Sequence, residues 1–389
     1  MSRRLSFAFV VASAFLVTAS CGSKTGLFGV DPGTSINPEA GISETSRLDA
    51  PPDGPIPCTP GKFDFELAAA QLMFVIDRSG SMAFSLDGQQ PGQFGGLPPG
   101  VPSRWEVLRD ALFQTILPFD ASLAMGAKFY PEVPSDGAPT EEQCATDVGV
   151  GIAPARNNTA SIIDVFDTTE PKGGTPTSEA IRLAAQYLTG TRGVARTLVV
   201  ATDGAPNCNG DLDKTRCTCT AFRNGQPQCN VSTALNGEYN CLDDTRTINA
   251  IRTIFDGQKI PVYVIGIGST ERPEFLQVLD NMAVAGGRAR ATTPRHYNVT
   301  TAAEMKTALG TIQESVAKCT YLTPSAPSDP SAISVEVDGK SIPRDTSHTN
   351  GWDWLDQAYG TLQFFGPACD AASLGVKPTI TGVVSCETR

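Results

Sequence analysis

Between residues 66 and 318, unbroken apolar runs about one strand long alternate with segments of helical periodicity. The runs include LMFVI at 72–76, LVVA at 198–201 and VYVIGI at 262–267. A run that is apolar at every position suits a strand buried on both faces, whereas a half-exposed strand would alternate. Strands are expected at 71–77, 122–130, 147–153, 196–203 and 260–268, with a short one near 294–299. Helices are expected at 103–117, where Trp105, Leu108, Leu112 and Ile116 share a face, and at 177–189, where Ala180, Ile181, Ala184 and Leu188 do. Further helices are expected at 243–256, 272–284 and 301–318, the last with Met305, Leu309, Ile312 and Val316 in register. This alternation predicts an α/β fold: a doubly wound, mostly parallel sheet covered on both faces.

The pattern changes after Cys319. AISVEVDGKSI sets Ile333, Val335 and Val337 against Ser334, Glu336 and Asp338, and Asp338-Gly339 is a hairpin turn. TLQFFG and TITGVVSC are further strands, so 319–389 reads as a small β module. Trp352 and Trp354 either plug its core, the reading preferred here, or form a carbohydrate platform.

The N-terminus stands apart from the fold. Arg3 and Arg4 precede LSFAFVVASAFLV, too short to span a bilayer with margin, and VTASCGSK follows. Small residues before a cysteine resemble a bacterial lipobox. That implies a lipoprotein signal peptide at 1–20, lipid on Cys21, and a disordered Pro/Gly/Ser-rich tether at 21–57. Ordinary secretion with a free Cys21, or an uncleaved membrane anchor, stays open. Without Cys21 the cysteines number ten: Cys58, Cys144, Cys208, Cys217, Cys219, Cys229, Cys241, Cys319, Cys369 and Cys386. An even set in an exported chain predicts disulfides. Zinc is the alternative, with Cys217-x-Cys219 as its nearest approach to a ligand pair. A net charge of −11 argues against nucleic acid as a partner and leaves the lipid anchor as the membrane contact.

The run at 72–76 ends in Asp77, and Ser79 and Ser81 follow around Gly80. In an open parallel sheet, ligands bind at the carboxyl ends of strands. A tight turn there would aim one carboxylate and two hydroxyls at one spot, a hard oxygen set suited to Mg²⁺, Mn²⁺ or Ca²⁺. PKGGTPTSEAI places Thr175 after paired glycines, and RTLVVATDGAPN ends a second strand in Asp203.

Taken together, these three pieces resemble the metal-ion-dependent adhesion site of von Willebrand factor type A domains, in the family's order, with VYVIGIGS similar to the following strand. The resemblance spans 66–318 and sets the expected domain at 58–318. It implies that Ser79, Ser81 and Thr175 coordinate a divalent cation, most readily Mg²⁺, while Asp77 and Asp203 act through water or from behind. Thr177 is expected as a helix cap. A partner's exposed acidic side chain would complete the metal shell, so the implied function is adhesion-type protein binding rather than catalysis. The runners-up are a metal-assisted hydrolase and a structural envelope protein that needs no metal. His296 and His348 lie outside the motif and are expected at loop or surface positions, leaving hydrolysis without a base.

The family's compact domain is shorter than 66–318. The extra residues at 83–102, 131–146 and 205–242 would all follow strand carboxyl ends and crowd the metal face. The last is Cys-rich, and Cys144 is expected to bridge to it. Asn209, Asp211 and Asp213 within it are read as turn residues, with a second calcium site the alternative. In the implied fold, Cys58 would pair with Cys319 at the opposite edge and restrain the final helix, leaving Cys369 with Cys386. The chain would then hang by its lipid from the bacterial envelope, at the outer membrane, with the metal face outward.

Overall fold

The computed structural model describes residues 55–92, 96–146, 149, 151–188, 194–223, 226–229, 237–268, 272–373 and 378–386. The expected leader, Cys21 and most of the expected tether lie outside them. Among the described residues, no helix is long and apolar enough to cross a membrane.

In chain order the strands are β1 (Gly61–Asp64), β2 (Glu66–Leu67), β3 (Ala70–Asp77), β4 (Ala124–Tyr130), β5 (Ile152–Ala155), β6 (Ala195–Thr202), β7 (Phe222–Arg223) and β8 (Gln226–Pro227). They continue with β9 (Val262–Ile267), β10 (Tyr297–Val299), β11 (Thr320–Leu322), β12 (Ile333–Val337), β13 (Lys340–Ile342), β14 (Gly351–Asp356), β15 (Thr361–Phe365) and β16 (Ile380–Val384). The helices are α1 (Arg104–Ile116), α2 (Thr140–Gln143), α3 (Thr159–Thr168), α4 (Thr177–Leu188), α5 (Asp244–Gln258), α6 (Pro273–Ala285), α7 (Ala302–Lys318) and α8 (Pro367–Ser373).

A six-stranded sheet in the order β10-β9-β6-β3-β4-β5 forms the centre. Its strands pair in parallel except at the edge, where β5 runs antiparallel to β4. Side chains alternate along β3. Leu72, Phe74 and Ile76 enter a core with α1, α3 and α7, while Met73 and Val75 enter one with α4, α5 and α6. That two-sided burial is why the run carries no polar residue before Asp77. α1 and α7 each begin with a capping box, Ser103 with Glu106 and Thr301 with Glu304. The expected strand at 147–153 begins only at Ile152, and the one near 294–299 shortens to β10. Helix α3 was not expected. Its buried stripe is only Thr159, Ile162 and Phe166, a signal too brief to stand out among polar neighbours.

The β module consists of two four-stranded antiparallel sheets, β1-β16-β12-β13 and β14-β15-β11-β2. It therefore begins before the parallel sheet: residues 61–67 belong to it, and the expected boundaries at 58–318 and 319–389 do not hold. The turn between β12 and β13 places Asp338 and Gly339 at φ 49° and 76°, the left-handed pair that the dipeptide favours. Trp352 is 2% exposed and its Nε1 donates to Ile342 O at 3.1 Å. Trp354 meets it edge-on at 5.6 Å and donates to Pro330 O, so both act as packing residues. Trp352→Ala is expected to cost about 3–5 kcal/mol in urea denaturation; a cost below about 1 kcal/mol would show that the site collapses without it.

Five disulfides close the chain: Cys58–Cys386, Cys144–Cys208, Cys217–Cys241, Cys219–Cys229 and Cys319–Cys369. Cys144 does bridge to the insertion. The expected pairs Cys58–Cys319 and Cys369–Cys386 do not form, because strand pairing decides otherwise. β1 lies against β16 with Gly61 opposite Val384, which brings Cys58 to Cys386. Cys319 leads into β11, which pairs with β15, and α8 carrying Cys369 follows β15. His296 also departs from expectation. It is fully buried, with Nδ1 2.7 Å from Asp280 Oδ1. His348 stacks on Phe365, with Nε2 3.1 Å from Asp353 Oδ2.

Candidate metal site

The register of β3 with β6 sets Ile76 opposite Ala201, so the strands end side by side in Asp77 and Thr202. Asp77 is wholly buried. Its Oδ1 accepts from Ser79 N at 2.8 Å, which folds the turn back on the strand. Its Oδ2 accepts from Thr202 Oγ1 at 2.6 Å, which ties the two strand ends together. Burial, and after it the charge of Asp203, pushes the Asp77 pKa up to about 7.

Beyond Asp77, the hydroxyls of Ser79 and Ser81 lie 3.2 Å apart. Gly80 N donates to Gly173 O at 3.1 Å, joining this turn to the loop that carries Thr175. Thr175 is 6% exposed, and its N–H donates to Asn207 Oδ1 at 2.7 Å. Asn207 N returns a bond to Thr175 O at 2.9 Å, and Asn207 Nδ2 donates to Thr220 Oγ1 at 3.0 Å. Asn207 of the Cys-rich insertion thus fixes the loop that carries Thr175. Thr177 is the first residue of α4 rather than its cap, and its hydroxyl faces Thr175 O at 3.4 Å.

Ser79, Ser81, Thr175 and Asp203 line a single cleft of about 410 Å³ at the strand ends, with Arg104 and Phe222 among its other walls. Asp77 supports the turn beneath it. Asp203 Oδ2 accepts from Arg104 Nη1 at 2.6 Å. Arg104, Thr202 and Asn207 escaped the sequence reading: each is an ordinary polar residue whose role depends on which elements meet. The disulfide Cys144–Cys208 packs on Gly174, where an added Cβ would lie 2.5 Å from Cys208 Sγ. This explains the second glycine of the pair before Thr175.

The donors fit a small hard cation. The hydroxyl residues Ser79, Ser81 and Thr175 and the acid Asp203 line one cleft, and the wholly buried Asp77 carboxylate beneath the turn has no ion pair among the described residues. The zinc alternative lacks ligands: Cys217, Cys229 and Cys241 place their sulfurs within 4.8 Å of one another, yet all three are in disulfides. Asn209 and Asp213 accept backbone N–H groups two residues on, as turn residues do. Asn207→Ala should strand the buried Thr175 N–H at a cost of about 1–3 kcal/mol. Urea denaturation is the measurement, and an unchanged midpoint would mean the loop is held by other contacts.

No family model matches the chain, and no curated protein matches it. Among solved structures it is similar to the PilB minor pilin from Streptococcus sanguinis, at 16% identity and TM-score 0.44, covering 64% of this chain and 61% of that one. It is also similar to the pilus adhesin SpaC from Lactobacillus rhamnosus GG, at 15% identity and TM-score 0.43, covering 87% and 44%. A third is the vWF domain of the type V pili tip protein Mfa5 from Porphyromonas gingivalis, at 11% identity and TM-score 0.39, covering 64% and 97%. The match thus spans about three fifths of the PilB chain and under half of SpaC.

Proposed function

We propose that this protein is an exported, adhesion-type binding protein of the bacterial envelope that captures an acidic side chain of a protein partner through a divalent cation. The observation that carries this reading is the single cleft lined by Ser79, Ser81, Thr175 and Asp203, with Asp77 buried at the end of β3 and holding the turn that carries the two serines. Ser79, Ser81 and Thr175 would hold the ion directly, and Asp77 and Asp203 would supply negative charge from behind or through water. When bound, the ion offers Lewis acidity to a ligand carboxylate, and neutral hydroxyl ligands leave that acidity largely unquenched. Mg²⁺ suits the set best, with Mn²⁺ or Ca²⁺ as substitutes.

Binding is favoured over hydrolysis because His296 and His348 are engaged elsewhere, by Asp280 and by Asp353. Five disulfides suit an oxidising compartment. Lipid on Cys21 and the tether behind it would hold the chain at the membrane and leave the metal face outward.

The test is calorimetric titration of EDTA-stripped protein with Mg²⁺, followed by a glutamate-containing peptide. One ion per chain, and peptide binding only when the ion is present, is the expected result. Peptide binding that persists in EDTA would favour the metal-independent reading, and peptide cleavage would favour the hydrolase.

A further inference from the structure

Among the described residues, Arg104 is the one charged group lining the cleft that the motif does not account for. Its side chain is 8% exposed and that of its partner Asp203 is 5% exposed. The guanidinium is delivered by rigid structure. Arg104 is the first residue of α1, Ser103 caps that helix, and Arg104 N donates to Phe84 O at 2.7 Å. Its Nη1 donates to Asp203 Oδ2 at 2.6 Å and to the backbone carbonyl of Ser81 at 3.4 Å. The other face lies on the turn after β9. Gly268 stands at φ +87°, and a Cβ there would come within 2.5 Å of Arg104 Nε, so only glycine leaves room for the guanidinium. Nε itself is buried without a hydrogen-bond partner among the described residues.

The Arg104 guanidinium brings a positive charge into the cleft beside Asp203. A divalent ion among Ser79, Ser81 and Thr175 would meet a fixed like charge in a poorly solvated cleft, and Asp203 cannot serve both cations fully. Resting on the metal reading above, we propose that Arg104 is a resident counter-cation of the site: it holds Asp203 when no metal is bound and competes with the metal for it. The consequence is a deliberately weak metal site. The cleft with Arg104 carries less negative charge than its two aspartates alone would give, so an ion is held firmly only when a partner's carboxylate supplies the missing charge. Metal and acidic ligand are thereby coupled, each raising the affinity of the other.

The test is Mg²⁺ calorimetry on the EDTA-stripped full chain and on Arg104→Met, Arg104→Gln and Arg104→Lys, with thermal melts in EDTA to confirm folding. Removing the charge in the Met and Gln variants is expected to tighten Mg²⁺ binding about tenfold or more, while the Lys variant stays near wild type. Equal or weaker binding in Met and Gln, with wild type binding normally, overturns the proposal and leaves Arg104 as a group that positions Asp203. Should no variant nor wild type bind Mg²⁺, the metal reading itself fails and takes this inference with it. Wild-type protein with ¹⁵N-labelled arginine provides a second measurement that needs no neutral variant to fold. The Arg104 side-chain resonance, assigned by its loss in Arg104→Lys, is expected to shift on saturation with Mg²⁺, and an unmoved resonance under saturation overturns the proposal.

Discussion

Asp77→Ala is expected to abolish Mg²⁺ binding, with affinity falling about a hundredfold or more because a charge and a scaffold are lost together. The carboxylate holds the turn through Ser79 N and the neighbouring strand through Thr202 Oγ1. Without it, the turn that carries Ser79 and Ser81 loses the bond that folds it back on the strand. Asp77→Asn separates the two effects: it keeps an acceptor for Ser79 N and removes the charge. Its Mg²⁺ affinity should also collapse, yet its stability in EDTA should rise at pH 8. The sign follows from burial. The folded state holds the Asp77 proton up to about pH 7, whereas the unfolded chain releases it near 3.8. The protonated acid's contribution is therefore complete below 3.8 and is lost as pH rises through 7. At pH 8 wild type carries a buried charge that the Asn variant lacks, and below pH 4 the two should converge. Melting curves across that range, taken in EDTA, test the sign. Wild-type-like Mg²⁺ affinity in Asp77→Ala would remove Asp77 from the site altogether.

How much of this was legible in the sequence depends on whether a residue's role is set locally. The apolar runs of β3, β6 and β9 announce themselves because both faces of each are buried. Asp77 and Asp203 are conspicuous as the acids that end such runs. Arg104 gives no such signal, since it is one of several arginines and matters only because α1 starts beside the end of β6. The same holds for Asn207, whose partner Thr175 lies 32 residues away. β1 was hidden for another reason. GKFD is four residues at a sheet edge with alternating partial exposure, a pattern that composition cannot separate from a linker. Missing β1 also misplaced two disulfides, because the pairing of Cys58 follows from the pairing of β1 with β16 and from nothing in the cysteine spacing.

That corrected pairing changes what the disulfides can do. The end of α7 is tied through Cys319 to α8 within the β module, not to the chain's entry, and the entry is tied through Cys58 to the far end of the same module. Cys58–Cys386 closes a sequence separation of 328 residues, so its loss releases a large constraint on the unfolded chain. The double variant Cys58→Ser with Cys386→Ser is expected to lose about 3–5 kcal/mol of stability. The damage should centre on β1, which then keeps its ladder to β16 and the bonds of Thr59 with Ser325 as its anchorage. Hydrogen exchange should locate it there. The metal site should not register the change. β2, paired with β11, leads along the chain into the start of β3, whereas Asp77 stands at its end, about 23 Å away along the strand. Mg²⁺ affinity in the double variant is therefore expected to match wild type. A fall in affinity alongside the loss of stability would show instead that β3 transmits strain between the module and the cleft, and that the two parts of this chain work as one.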